Sequence, residues 1–225
     1  MDCPPRFPLF LEPIQLAEDA NQSSLSLRTF SLSDDEASYL LGAVQSISSL
    51  ACWVNACSDD PLFWTRDMDA IRALTPPTHR LLSLPRLDVL ELSEIGRGKK
   101  IVTEMVRLAC LALLASVKER FGVGDPEAAP LQARLRAIIH EPIVGLSRSL
   151  REWKLWSLMM AAALSKASHA GTIISEAKRT MADLGIVRGE EAIAVVRQMI
   201  WISAVCDRDI AALEHELNSP DDILG

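Results

Sequence analysis

No window of four or more residues in this chain alternates between apolar and polar as a half-buried strand must, so helices are what the sequence leaves available. Glycine-rich phosphate loops after a strand and nucleophile elbows are equally missing, which removes the enzyme classes that announce themselves by those motifs. The four histidines, His79, His140, His169 and His215, stand far apart and none makes a convincing i, i+4 pair with another ligand type, so no metal set and no cofactor are expected. Cysteine is sparse and odd in number: Cys3, Cys52, Cys57, Cys110 and Cys206. Cys52, Cys110 and Cys206 fall inside apolar helical patterns, where a cysteine behaves as a small hydrophobe, and this usage suits a reducing compartment, the cytoplasm or the nucleus. The amino terminus, MDCPPRFPLF, lacks a basic segment followed by an apolar run of signal-peptide length, so secretion is not expected, nor is passage across a membrane. Clustered basic residues are scarce too. With a formal charge of −7 and a pI near 5.2, broad attraction to nucleic acid is excluded, and the densest basic stretch, Gly96 to Lys100, reads as solvated punctuation before a helix.

What is present is enough apolar residue to build a core: 49% of 225 residues are hydrophobic and 24% charged, so the chain needs neither disulfide nor metal to fold. The stretch from Arg151 to Ser168, REWKLWSLMMAAALSKAS, is apolar almost all the way round. Its continuous apolar run is shorter than the roughly 20 residues of a bilayer span, which predicts a buried core helix. The expected fold is all-α, a single-domain multi-helix bundle around that central helix, with a proline-rich arm over residues 1–32, the helical domain over 33–217 and an acidic tail over 218–225.

Helix signals divide the domain. Ser33, followed by Asp34, Asp35 and Glu36, caps a helix running to about Cys57, with Leu40, Val44, Ile47, Leu50 or Ala51 and Val54 inward and Ser46, Ser48, Ser49 and Asn55 on the far side. Asp60-Pro61 opens a second helix, Phe63 to Leu74, which Thr75-Pro76-Pro77 must end. A short turn over Thr78 to Leu82, a break at Pro85 and a loop closed by Gly96 and Gly98 follow. Helices are then expected over Ile101 to Phe121, Leu131 to Ile139, the core stretch, Thr172 to Leu184, Gly189 to Val205 and Asp207 to Leu217.

Four segments in this order, HRLLSLP at His79 to Pro85, VRLACLALL at Val106 to Leu114, WKLWSLMMAAALS in the core helix and LGIVRGEEAIAVVRQMIWISAVCD at Leu184 to Asp207, resemble the helical regulatory region of fungal transcription factors that begin with a binuclear zinc cluster. The resemblance spans roughly residues 79 to 217 and implies a helical regulatory body. The zinc cluster itself needs six closely spaced cysteines with a basic stretch among them, and only Cys52 and Cys57 come near one another here, so DNA binding in that family's manner is not expected. Lys154 also departs from the family pattern, standing where an apolar residue is implied.

The candidate site gathers at the start of the core helix. Glu152 and Lys154 enter its first turn beside Trp153 and Trp156, and His140-Glu141-Pro142 comes one short loop earlier. A lysine ammonium at the edge of an apolar cavity is costly to desolvate, so a neutral amine could take a proton or form an imine, with His140 or Glu152 as the alternative proton carriers. A snorkelling Lys154 and a His140 that caps a helix end are the plainer alternatives. Arg107, inside an apolar helix, needs a partner such as Glu152 or Asp207 if it is structural. Trp153, Trp156, Met160, Arg107 and Trp201 are the candidate substrate walls; Met105, Met159, Met181 and Met199 are read mostly as core. The functional expectation is an apolar small molecule, bound and closed into a ring without cofactor by a C–C bond-forming step of aldol, Knoevenagel or pericyclic type in fungal secondary metabolism. The alternative is a stand-alone regulatory or effector-binding domain acting through protein partners. Neither nucleic acid nor membrane is an expected partner, and a homodimer stays open.

Overall fold

A computed structural model of the chain describes residues 35–84, 94–123, 128–141, 143, 145–165 and 171–220. The proline-rich arm, the Ser33 cap, the Pro85 break, the loop at Gly124 to Pro126, His169 and residues 221–225 of the acidic tail lie outside them. Among the described residues there is no strand, and the helices are α1 (Asp35–Cys57), α2 (Asp67–Ser83), α3 (Glu94–Arg120), α4 (Ala128–Ile139), α5 (Arg148–Ala163), α6 (Gly171–Leu184), α7 (Gly189–Arg197), α8 (Ser203–Cys206) and α9 (Ile210–Asn218), with a 3-10 turn at Phe63–Thr65. The chain is therefore an all-α, multi-helix fold.

Two buried helices form its spine. In α5 every residue from Trp153 to Ala161 is buried, as its all-round apolar sequence requires. In α3 the same holds from Glu104 to Leu114, and it is α3 that touches the larger set of neighbours: α1, α2, α4, α5 and α8, against α3, α6, α7 and α9 for α5. The centre is thus shared between two posts. A local start signal is visible at α5 and a local stop at α3. The Ser147 hydroxyl accepts from the Leu150 amide at 3.4 Å to cap α5. Behind α3 and α6 the chain turns through Gly122 (φ 69°) and Gly185 (φ 75°), where the amides of Val123 and Ile186 reach back to the carbonyls of Lys118 and Met181. A left-handed glycine is needed to satisfy the last carbonyls in this way.

Expected boundaries differ at several helix ends, and three of the differences are substantial. First, α2 runs straight through Pro76 and Pro77 to Ser83, absorbing the separate turn expected at Thr78. Continuing keeps Ala70, Ala73, Leu74, Pro77 and Leu81 on one buried face against α1 and α3, and the hydroxyls of Thr75 and Thr78 donate to the Ile71 and Leu74 carbonyls beside the lost amides. The helix ends where Leu84, just before Pro85, turns extended (ψ 138°). Second, α3 begins at Glu94 and includes Gly96 and Gly98, read as loop; each helical glycine costs about 1 kcal/mol relative to alanine, and packing on α4 with an Arg97–Glu141 ion pair offsets it. Third, the helix expected from Gly189 to Val205 stops at Arg197, and Ile202 is extended (φ −117°, ψ 100°) before α8 restarts.

That third break is held from outside the segment. The Trp156 indole N–H donates to the Ile200 carbonyl at 2.8 Å, and Asn55 donates to the Trp201 carbonyl at 2.7 Å while accepting from the Ser203 amide at 3.0 Å. Asn55, on the exposed side of α1 as expected, is also the clamp that ties α1 to the Trp201 segment. Ser48, placed on the same face, is buried. Among the described residues one helix, over Tyr39–Cys57, is long and apolar enough by length and composition to cross a membrane; its face from Leu40 to Val54 is buried within the bundle.

Candidate functional site

The core helix starts at Arg148, so Glu152 and Lys154 occupy its second turn and not its first. Lys154 does not snorkel to the surface: its side chain is 8% exposed and its Nζ lies 2.6 Å from Glu176 Oε1 on α6. Glu176 in turn accepts from Arg179 at 2.7 Å through its other oxygen, so one carboxylate closes a buried and an exposed cation. Glu152 is half-buried and pairs with Arg148 one turn earlier at 3.2 Å. His140, exposed just beyond α4, makes no side-chain hydrogen bond among the described residues, while its neighbour Glu141 is held by Arg97. Lys154, His140 and Glu152 are therefore not linked by hydrogen bonds or ion pairs to one another.

The walls have structural partners of their own. Trp153 and Trp156 are both buried and meet edge to face, ring centroids 5.5 Å apart, and the Trp156 indole is the donor to Ile200 described above. Met160 is fully buried in the same helix. Trp201 is buried, gives its indole N–H to Asp207 at 2.8 Å and lies under the Arg197 guanidinium, 5.6 Å from the ring centroid. Arg107 is buried and its carboxylate is Glu104, three residues earlier on α3, not Glu152 or Asp207. Its Nε and Nη2 take both Glu104 oxygens, at 2.6 and 2.7 Å, and Nη1 donates to the Leu81 carbonyl at 3.2 Å, fixing the end of α2 on α3. Arg134 of α4 joins from the surface at 3.3 Å. Glu104 and Glu176 were missed as site residues. The i, i+3 spacing of Glu104 and Arg107 on one apolar helix is a legible signal; Glu176 follows only from how α5 and α6 pack.

A cleft of about 360 Å³ does open between elements of the core helix, α3 and the segment after α7, but at the far end of α5 from Lys154. Ala163, Leu164 and Ser165 contribute to it, more than two turns beyond Lys154. No group of three or more His, Cys, Asp or Glu side chains suited to a metal ion occurs among the described residues.

Of the thiols, Cys52 is exposed, which corrects its assignment to the core, and Cys57 is half-buried, whereas Cys110 and Cys206 are buried. Burial raises the Cys110 thiol, and burial raises Cys206 from 9.0 to about 12 against a smaller opposing hydrogen bond from Ile202. Both remain protonated thiols in the folded state and cannot be nucleophiles near neutrality. Because the folded value for Cys206 lies above the unfolded one, its stabilising contribution is complete below pH 9 and lost as pH rises from about 9 towards 12. An alkaline titration followed by circular dichroism should show unfolding in that window, and Cys206→Ala should move the transition to higher pH; an unmoved transition would count against this origin.

The chain matches no family model, no curated protein and no solved structure.

Proposed function

We propose that this chain is a regulatory helical body of the kind its resemblance to the zinc-cluster transcription factors implies, acting by binding an effector or a partner protein. The observation that favours this over proton-transfer chemistry is the commitment of Lys154 to Glu176 at 2.6 Å. A general base needs a lone pair facing its substrate, and an imine-forming lysine needs a free amine. Here the ammonium already has an anionic partner, and the indoles of Trp156 and Trp201 donate to groups of the protein itself. A cyclisation that used the Lys154 amine as base or imine-forming group would first require Lys154 to leave Glu176. The formal charge of −7 argues against direct binding to DNA, so the body would reach a promoter through another protein.

The test joins the full chain to a heterologous DNA-binding module in a fungal host and measures a reporter behind the matching site. A change of several-fold in reporter output, in either direction, is expected, and Lys154→Met should preserve it. A folded fusion that leaves the reporter at the level of the DNA-binding module alone overturns the regulatory reading.

A further inference from the structure

The cleft at the carboxyl ends of α3 and α5 is closed on its third side by α8 and the Arg208–Asp209 link. We infer that it binds a small zwitterion with a short apolar side chain, an α-amino acid by chemical class; this rests on the effector-binding reading and names the effector. Its size, about 360 Å³, sits at the lower end of the roughly 300–1,000 Å³ typical of small-ligand sites.

The charges around the cleft are the first argument. Several charges elsewhere on the surface have closed on a partner, Arg148 on Glu152, Arg179 on Glu176, Arg188 on Glu190 and Arg197 on Asp207, and so are not available to a ligand. Around the cleft Glu119, Arg208 and Asp209 make no side-chain hydrogen bond or ion pair among the described residues. Asp209 even occupies the N-cap position of α9 without its side chain capping that helix. Arg120, the remaining cation, is drawn over the Trp64 ring, 5.2 Å from its centroid.

Hydrogen-bond polarity is the second. The Ser116 and Ser165 hydroxyls both line the cleft and both donate to their own helices, to the carbonyls of Ala112 at 3.0 Å and Ala161 at 2.6 Å. With their protons used, they present only lone pairs to a ligand. Together with Glu119, Asp209 and the partial negative charge at the carboxyl end of α5, this makes one side of the cleft an acceptor field suited to the three donors of an ammonium. Arg208 supplies the complementary fork for a carboxylate. Leu164 and Val205 offer the apolar surface between them.

The experiment is calorimetric titration of the full chain with L-leucine, and with its two halves, isopentylamine and 4-methylpentanoate. Saturable binding of leucine is expected, with either half weaker. Arg208→Gln, a surface change, should weaken leucine about tenfold or more while leaving isopentylamine as it was. Asp209→Asn should weaken both amines and spare the carboxylate. No saturable heat with leucine, valine or glutamine overturns the assignment, as does leucine binding that Arg208→Gln leaves unchanged. If leucine gives no heat while the reporter fusion still responds, only the amino-acid assignment falls; if both fail, the regulatory reading falls with it.

Discussion

Glu176→Gln is expected to lower the unfolding free energy by about 3–5 kcal/mol, whereas Lys154→Met, at the other end of the same ion pair, should cost under about 1 kcal/mol or even stabilise. The asymmetry comes from what each change leaves behind. Without the Glu176 carboxylate, Lys154 remains a buried ammonium with its anion gone. Without the Lys154 amine, Glu176 retains Arg179 at 2.7 Å, and methionine fills much of the lysine stem's volume inside an apolar helix. Urea denaturation of the two variants, read at the midpoint with an unchanged slope, measures the difference. Equal losses would show that the pair is not the asymmetric bridge described here. The comparison bears on function as well: a Lys154→Met protein of normal stability is the reagent needed to ask whether the amine does anything beyond folding.

The second large effect is at Trp156. Trp156→Ala should destabilise by about 3–5 kcal/mol through the cavity left in the spine. Trp156→Phe keeps most of the ring but strips the donor from the Ile200 carbonyl, and a buried acceptor left unpaired costs about 1–3 kcal/mol. The phenylalanine variant should also act locally. Hydrogen exchange at the Ser203 amide, which Asn55 holds at 3.0 Å, should accelerate more than exchange in α3. If Trp156→Phe leaves both stability and exchange untouched, the indole is packing alone and the break between α7 and α8 has some other cause.

Both effects trace to residues whose role depends on distant partners, and this divides what could be read in advance from what could not. Helical class, the burial of the Trp153 to Ala161 run, the glycine stop at Gly185 and the core character of Cys110 and Cys206 are local or periodic properties. They follow from apolar residues recurring at the helical period and from the few residues that tolerate a left-handed turn. Continuation of α2 through Pro76-Pro77 went the other way, because the apolar face that the helix keeps in register outweighs the amides it loses. Local breaker chemistry cannot see that balance.

The sequence by itself determined that this protein is helical, that α5 has no face to show water and that Lys154 and Arg107 would each need an answer for their charge. Only the tertiary structure decided the answers that lie beyond a single helix: Glu176 for Lys154, the Leu81 carbonyl that joins Glu104 on Arg107, and Asn55 with Trp156 for the chain between α7 and α8. The physical reason is range. Helical period and caps act within about a turn or two, where spacing in sequence is spacing in space. A buried charge or carbonyl is satisfied by whichever group the packing of separate helices brings within about 3 Å, and Asn55 and Trp201 are 146 residues apart along the chain.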